Sequence, residues 1–200
     1  MRQVTETFEG ERFRDEDWYG EEWGARTYTE CRFSDVDLTE ARLEGTTFLS
    51  CVFDGGRFNA SVLNGVALVG CTFNRTSFFG ATLNGCKLDG SAFVDCTLRP
   101  LTVSGGRWLG VSLQGAKLRE LVLDGVVLAE ADLTDADLTK SSLRGCDLSR
   151  ALLRGARLEE ADLRETRLDG VDLELARLRG TRLDVAGAML LAERHGAIVG

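Results

Sequence analysis

The sequence predicts an all-β solenoid, and three observations carry that prediction. Every fifth residue from Phe8 to Leu183 is Phe, Leu, Trp, Tyr or Val, and the frame never slips. Two residues before each centre the chain mostly places something small, such as Cys31, Val36, Ala41, Thr46 and Cys51, and later Ala131, Ala136, Ser141, Cys146 and Ala151. The other three positions of each five are mostly Asp, Arg, Glu, Thr, Ser, Asn or Gly. A five-residue period fits neither the helix repeat of about 3.6 nor the strand repeat of about 2. It fits a coil that buries its face by stacking on its neighbours. Four such units close a square, with centres and small residues pointing inward. Gly recurs at the fifth position (Gly65, Gly80, Gly85, Gly90, Gly115), where a corner favours φ > 0.

The elements follow in order. Residues 1–27 form an imperfect or capping coil, because Glu6, Glu11, Glu16, Glu21 and Arg26 fill positions that a buried coil would reject. Phe8, Phe13, Trp18 and Trp23 hold it. Residues 28–183 form the regular solenoid, with an irregular stretch expected at Pro100 and Leu101, where a bulky residue takes the small position. Residues 184–200 form a short capping helix and tail, with Asp184 as N-cap and Gly196 as the stop. One coil end cannot hide Ala188, Leu190, Leu191, Ala197, Ile198 and Val199 together. They are therefore expected to form a twofold dimer contact.

Residues with potential chemistry are absorbed by the repeat. All six cysteines (Cys31, Cys51, Cys71, Cys86, Cys96, Cys146) occupy the small inward position, and no Cys-x-x-Cys pair exists. They read as reduced, space-filling thiols rather than disulfides or a metal site. Nine of the ten Phe residues sit at centres; Phe79 projects outward, and Leu49, Val69 and Leu109 share an outward place on one face. His195 is the only histidine and lacks a catalytic partner. Neither a second histidine nor a carboxylate pair phased across a cleft is present, so an enzyme is not expected, nor any cofactor or metal. The N-terminus lacks a basic-then-apolar signal layout and no apolar run approaches a membrane span, so a cytoplasmic protein without membrane contact is expected.

The unit Ala131-Asp132-Leu133-Thr134-Asp135, followed by Ala136-Asp137-Leu138-Thr139-Lys140, resembles the consensus of the pentapeptide-repeat proteins. The resemblance implies a right-handed quadrilateral β-helix with 20 residues per coil, here about nine coils. Two further segments are similar to the gyrase-interacting MfpA/Qnr branch of that family: Gly90 to Thr102, with Phe13-Arg14-Asp15-Glu16-Asp17, and the tail from Leu190 to Gly200. That likeness implies a rod that dimerises tail to tail, imitates duplex DNA and engages DNA gyrase, with fluoroquinolone or toxin resistance as the outcome. Which gyrase subunit is engaged stays open. Qnr proteins interrupt the frame with protruding loops; this chain does not, which favours the MfpA type.

Charge bears on the same question. The net charge of −8 argues against direct nucleic-acid binding and for a basic partner. Nine coils at ~4.8 Å give a rod of about 43 Å, or about 86 Å for a dimer. Duplex DNA of that length carries about 50 charges, roughly three times the dimer's net charge. The acidity is uneven: residues 1–55 hold 14 acids and 6 bases, 56–110 hold 2 and 5, and 111–200 hold 16 and 13. The candidate contacts are Asp15, Glu16, Asp17, Asp35, Asp37 and Glu40 at the acidic end, and Asp132, Asp135, Asp137 and Asp147 nearer the dimer centre. The alternative reading is a repeat scaffold that binds some other protein.

Overall fold

The computed structural model describes residues 6–194 and 196–198. Three parallel sheets and one ladder of single bridges form its four faces. The first sheet stacks β1 (Glu6–Glu9), β4 (Arg26–Thr29), β7 (Thr47–Leu49) and β10 (Ala67–Val69). The second stacks β2 (Arg12–Arg14), β5 (Arg32–Ser34), β8 (Val52–Asp54), β11 (Thr72–Asn74) and β13 (Ala92–Val94). The third stacks β3 (Glu22–Trp23), β6 (Arg42–Glu44), β9 (Val62–Asn64), β12 (Ala81–Asn84) and β14 (Leu101–Ser104). The fourth face runs through Asp17, Asp37, Arg57, Ser77 and Thr97. Each residue pairs with the one twenty positions on, as in Phe33↔Phe53 and Leu63↔Leu83.

The expected nine coils resolve into two kinds. About five turns carry extended strands; beyond Ser104 the same offset continues only as isolated bridges, the last being Asp162↔Arg182. The cause is local. In the later coils the carbonyl of each centre accepts from the amide three residues on, as in Ala131 N to Leu128 O and Ala136 N to Leu133 O, both 3.1 Å. The residue before that amide has positive φ (Glu130 60°, Asp135 57°), the geometry of a type II turn. Tight turns leave one residue per face to pair. The change coincides with the exchange of Phe for Leu in the core column, Phe93 giving way to Leu113.

The core is solid and aromatic in the first half. Phe13, Phe33, Phe53, Phe73 and Phe93 stack with centroids 5.0, 4.4, 4.9 and 4.8 Å apart and planes within 14°. The neighbouring column meets them edge-on, as Phe48 does Phe33 at 77°. Such contacts are each worth about 1 kcal/mol beyond area burial. Residues 6–27 form a coil paired in register with the next, and Glu6, Glu11, Glu16 and Glu21 stay exposed because no other coil among the described residues covers that end.

Five cysteines are buried, Cys96 is half-buried, and all six are unbridged. Burial pushes the Cys86 and Cys96 thiols up to about 11 and Cys146 to about 12. At pH 8 these groups hold almost no thiolate, the reactive form. A thiol reagent should therefore develop little colour with native protein at pH 8 and react with all six cysteines after denaturation.

Helix α1 (Val185–Arg194) closes the last coil. Asp184 Oδ1 accepts from Gly187 N at 2.9 Å, confirming the N-cap, and its other oxygen accepts from Glu165 N at 2.9 Å. Gly196, with φ 83°, ends the helix. Gly187 is buried against Leu168 and Leu183, where a Cβ would lie 3.1 Å from the Leu183 side chain. The backbone bonds from Gly187 and Glu165 lower the Asp184 pKa. Its contribution to stability is then present above the unfolded carboxylate pKa and fades as pH falls through the lower folded value. Asp184→Ala should lower Tm by a few degrees at neutral pH, with the difference shrinking at acid pH.

Candidate functional site

The acidic end is built by two adjacent faces meeting at a corner. Asp15 and Asp35 are consecutive corner residues with φ 53°, joined by Asp15 N to Ser34 O at 3.0 Å. Asp17 and Asp37 pair directly on the next face, and Glu40 occupies its far corner. Parallel stacking thus repeats the carboxylates at about the inter-strand spacing of ~4.8 Å. The Asp35 carboxylate lies over Gly55, where any Cβ would strike its Oδ1, so the glycine preserves that room. Two unit charges ~4.8 Å apart repel by about 1 kcal/mol even in water.

Counter-ions sort the predicted contacts. Arg57 grips Asp37 through Nε at 3.1 Å and Nη2 at 2.8 Å, and Thr39 N donates at 2.9 Å. Partial burial opposes ionisation of Asp37, but these donors outweigh it and lower its pKa. Asp15, Glu16, Asp17, Asp35 and Glu40 have no ion pair among the described residues. The second group is divided: Asp132 and Asp135 likewise have no ion pair among the described residues, whereas Asp137 and Asp147 do. Asp137 lies between Arg119 (3.4 Å) and Arg157 (3.6 Å), and Asp147 meets Arg167 at 3.3 Å. Asp132 accepts from Thr134 N at 2.9 Å, and Asp135 projects over Gly155. Asp137 and Asp147 are therefore offset by arginines, as is Glu130 by Arg150.

Donors along the ladder lower the pKa of the carboxylates that they engage. Arg164, donating to Asp162, holds its carboxyl at about 2, and the bond from Ser149 lowers Asp147. Depressed folded values mean that the pairs stabilise the rod above the unfolded carboxylate pKa and release it as pH falls toward 2. Each exposed pair is worth little alone.

At the other end, Ala188 and Ile198 are exposed, as is Ala197, while Leu190 and Leu191 pack partly buried against the core. Val199 and His195 lie outside the described residues. Val185 and Met189 are also exposed, and with Ala188 they form the outward stripe of the helix at i, i+3, i+4 spacing. Sequence reasoning missed Val185 and Met189. Helical phasing from the Asp184 cap would have found them. Among the described residues no cluster of three or more His, Cys, Asp or Glu is arranged to hold a metal ion, and no helix is long and apolar enough to cross a membrane.

Fold and pattern together define a four-sided parallel β-solenoid with five-residue repeats. The family model of pentapeptide repeats matches residues 31–66, 57–93, 110–145 and 146–184, and the chain belongs to that family. Two solved structures of trypsin-treated variants of QnrB1, a plasmid-mediated fluoroquinolone resistance protein, are similar in fold. The first has 24% identity and a TM-score of 0.62, with 98% of each chain covered. The second has 24% identity and a TM-score of 0.66 over the same 98% of each chain. No curated protein sequence matches the chain.

Proposed function

We propose that the protein is a cytoplasmic DNA mimic that binds DNA gyrase as a homodimer, modulating supercoiling and conferring fluoroquinolone or toxin resistance without enzymatic turnover. The observation that carries this reading is the run of carboxylates without counter-ions at the N-terminal end, Asp15, Glu16, Asp17, Asp35 and Glu40. Stacked at regular spacing on a narrow rod, they present a repeating line of negative charge, the property by which a phosphate backbone is recognised. The MfpA/Qnr-like segments at Phe13 to Asp17 and Gly90 to Thr102 support gyrase as the basic partner. The ion pairs at Asp137 and Asp147 move the weight of the proposed contact away from the dimer centre toward the rod ends.

The exposed stripe Val185, Ala188 and Met189 supplies the twofold contact. Val185→Glu with Met189→Glu should convert the dimer to a monomer in sedimentation at micromolar concentration. A wild-type chain that sediments as a monomer there removes the dimer from the proposal. The function itself is tested by titrating purified protein into gyrase supercoiling reactions with and without a fluoroquinolone. Inhibition or drug protection at low salt is expected; no effect in either assay leaves the protein as a scaffold for another partner.

A further inference from the structure

The inter-coil ladder opens on two adjacent faces in the middle of the rod. Ser77 pairs with Thr97, and Lys117 with Asp137, yet Thr97 and Lys117 do not pair. On the next face β14 pairs back to β12 and forms the sheet edge, and Val122 pairs onward to Ser142, but Thr102 and Val122 do not pair. The other two faces stay closed through Ala92↔Ser112 and Lys87↔Arg107↔Val127. The result is a wedge hinged on one side. Pro100 contributes by having no amide to donate, and Leu101 by placing a large side chain where the coil takes a small one.

The geometry points to this wedge as a binding site for an extended segment of a partner polypeptide, which would add a strand between the two banks. Backbone amides and carbonyls unused by the ladder line both sides, and an extended chain is the ligand that satisfies such an edge. The groove beside β14 has a volume of about 730 Å³, within the range of ligand sites. Leu101 and Val103, at inward positions, are only half-buried, giving it an apolar floor. Its rim carries Arg99, tied to Glu120 at 3.2 Å, and Arg119, which reaches Asp137 at 3.4 Å, and Lys117 lines the adjoining groove on the next face. Arg99 Nε is buried without a hydrogen-bond partner. An occupant alternating apolar and acidic residues meets the apolar floor and the exposed Lys117, which has no ion pair among the described residues. The site is separate from the acidic end, so it stands whether or not gyrase is the partner.

The test uses the full-length protein and a blocked octapeptide of alternating valine and glutamate, with the same peptide N-methylated at alternate amides as control. Amide NMR should show shifts and slowed hydrogen exchange at Leu98, Val103, Lys117 and Val122, with at least tenfold weaker binding of the N-methylated peptide. Lys117→Glu, a surface change, should weaken the unmodified peptide at least threefold. Three results would each overturn the inference: unperturbed amides at millimolar peptide, equal binding of the methylated control, or shifts confined to other coils.

Discussion

Phe53→Ala is expected to destabilise the rod by about 3–5 kcal/mol, the cost of deleting a fully buried ring that cannot be refilled. Phe53 has no exposure and is stacked 4.4 Å from Phe33 and 4.9 Å from Phe73, with Phe48 and Phe58 edge-on at 5.3 and 5.5 Å. Its neighbours are held by twenty-residue backbone pairing on both sides, so collapse into the void is limited. In a chain of this length that loss lowers Tm by about 10 °C. Phe53→Leu, which keeps most of the volume, should cost about 1 kcal/mol. Because each coil touches only its neighbours, the damage should start at the centre of the strand-built half. Chemical denaturation of the two variants against wild type checks this; equal stability of Phe53→Ala would show that the stacked column is not the source of rigidity.

The second large effect is functional. Reversing Asp15, Asp17 and Asp35 to Lys moves the net charge from −8 to −2 while touching only exposed side chains without ion pairs. The fold should be unharmed and Tm close to wild type, because reversing both Asp15 and Asp35 exchanges one like-charged stacked pair for another, while Asp17→Lys sets an opposite charge against Asp37. Gyrase affinity should fall at least tenfold, about 1.4 kcal/mol. The matched control is Asp137→Lys with Asp147→Lys, at carboxylates already offset by Arg119, Arg157 and Arg167, which should change affinity much less. Equal losses in both variants would mean that net charge acts from a distance and that no acidic end is recognised. Circular dichroism of each variant separates a folding defect from a binding defect.

How much of this the sequence discloses follows from what the repeat controls. The five-residue period places Phe33, Phe53 and Phe73 in one buried column, the cysteines inside, and the corner residues at positive φ, because stacking leaves no other arrangement. Asp184 and Gly196 mark the helix ends by ordinary capping chemistry. The twenty-residue offset even makes Asp37–Arg57 and Asp147–Arg167 readable as partners. The period does not report the backbone between centres. It cannot tell a strand-built turn from a tight-turn coil, so the change after Ser104 is invisible in it. Pro100 and Leu101 mark an irregular place, but the loss of the Thr97–Lys117 and Thr102–Val122 pairings depends on how two coils settle around them. Side-chain reach is hidden too: Arg119 and Arg157 converge on Asp137 from opposite coils and cancel a charge that composition counts as free.

The central claim is that this rod occupies a surface of gyrase that otherwise holds DNA. Its most direct test is competition: gyrase bound to a fluorescent duplex, titrated with the protein at low salt and again at raised salt. The account predicts that the duplex is displaced competitively, its apparent Kd rising in proportion to added protein, and that the protein's inhibition constant, corrected for the duplex Kd measured at each salt, rises as salt shortens the Debye length. Formation of a ternary complex of gyrase, duplex and protein, or no displacement at low salt, would contradict it.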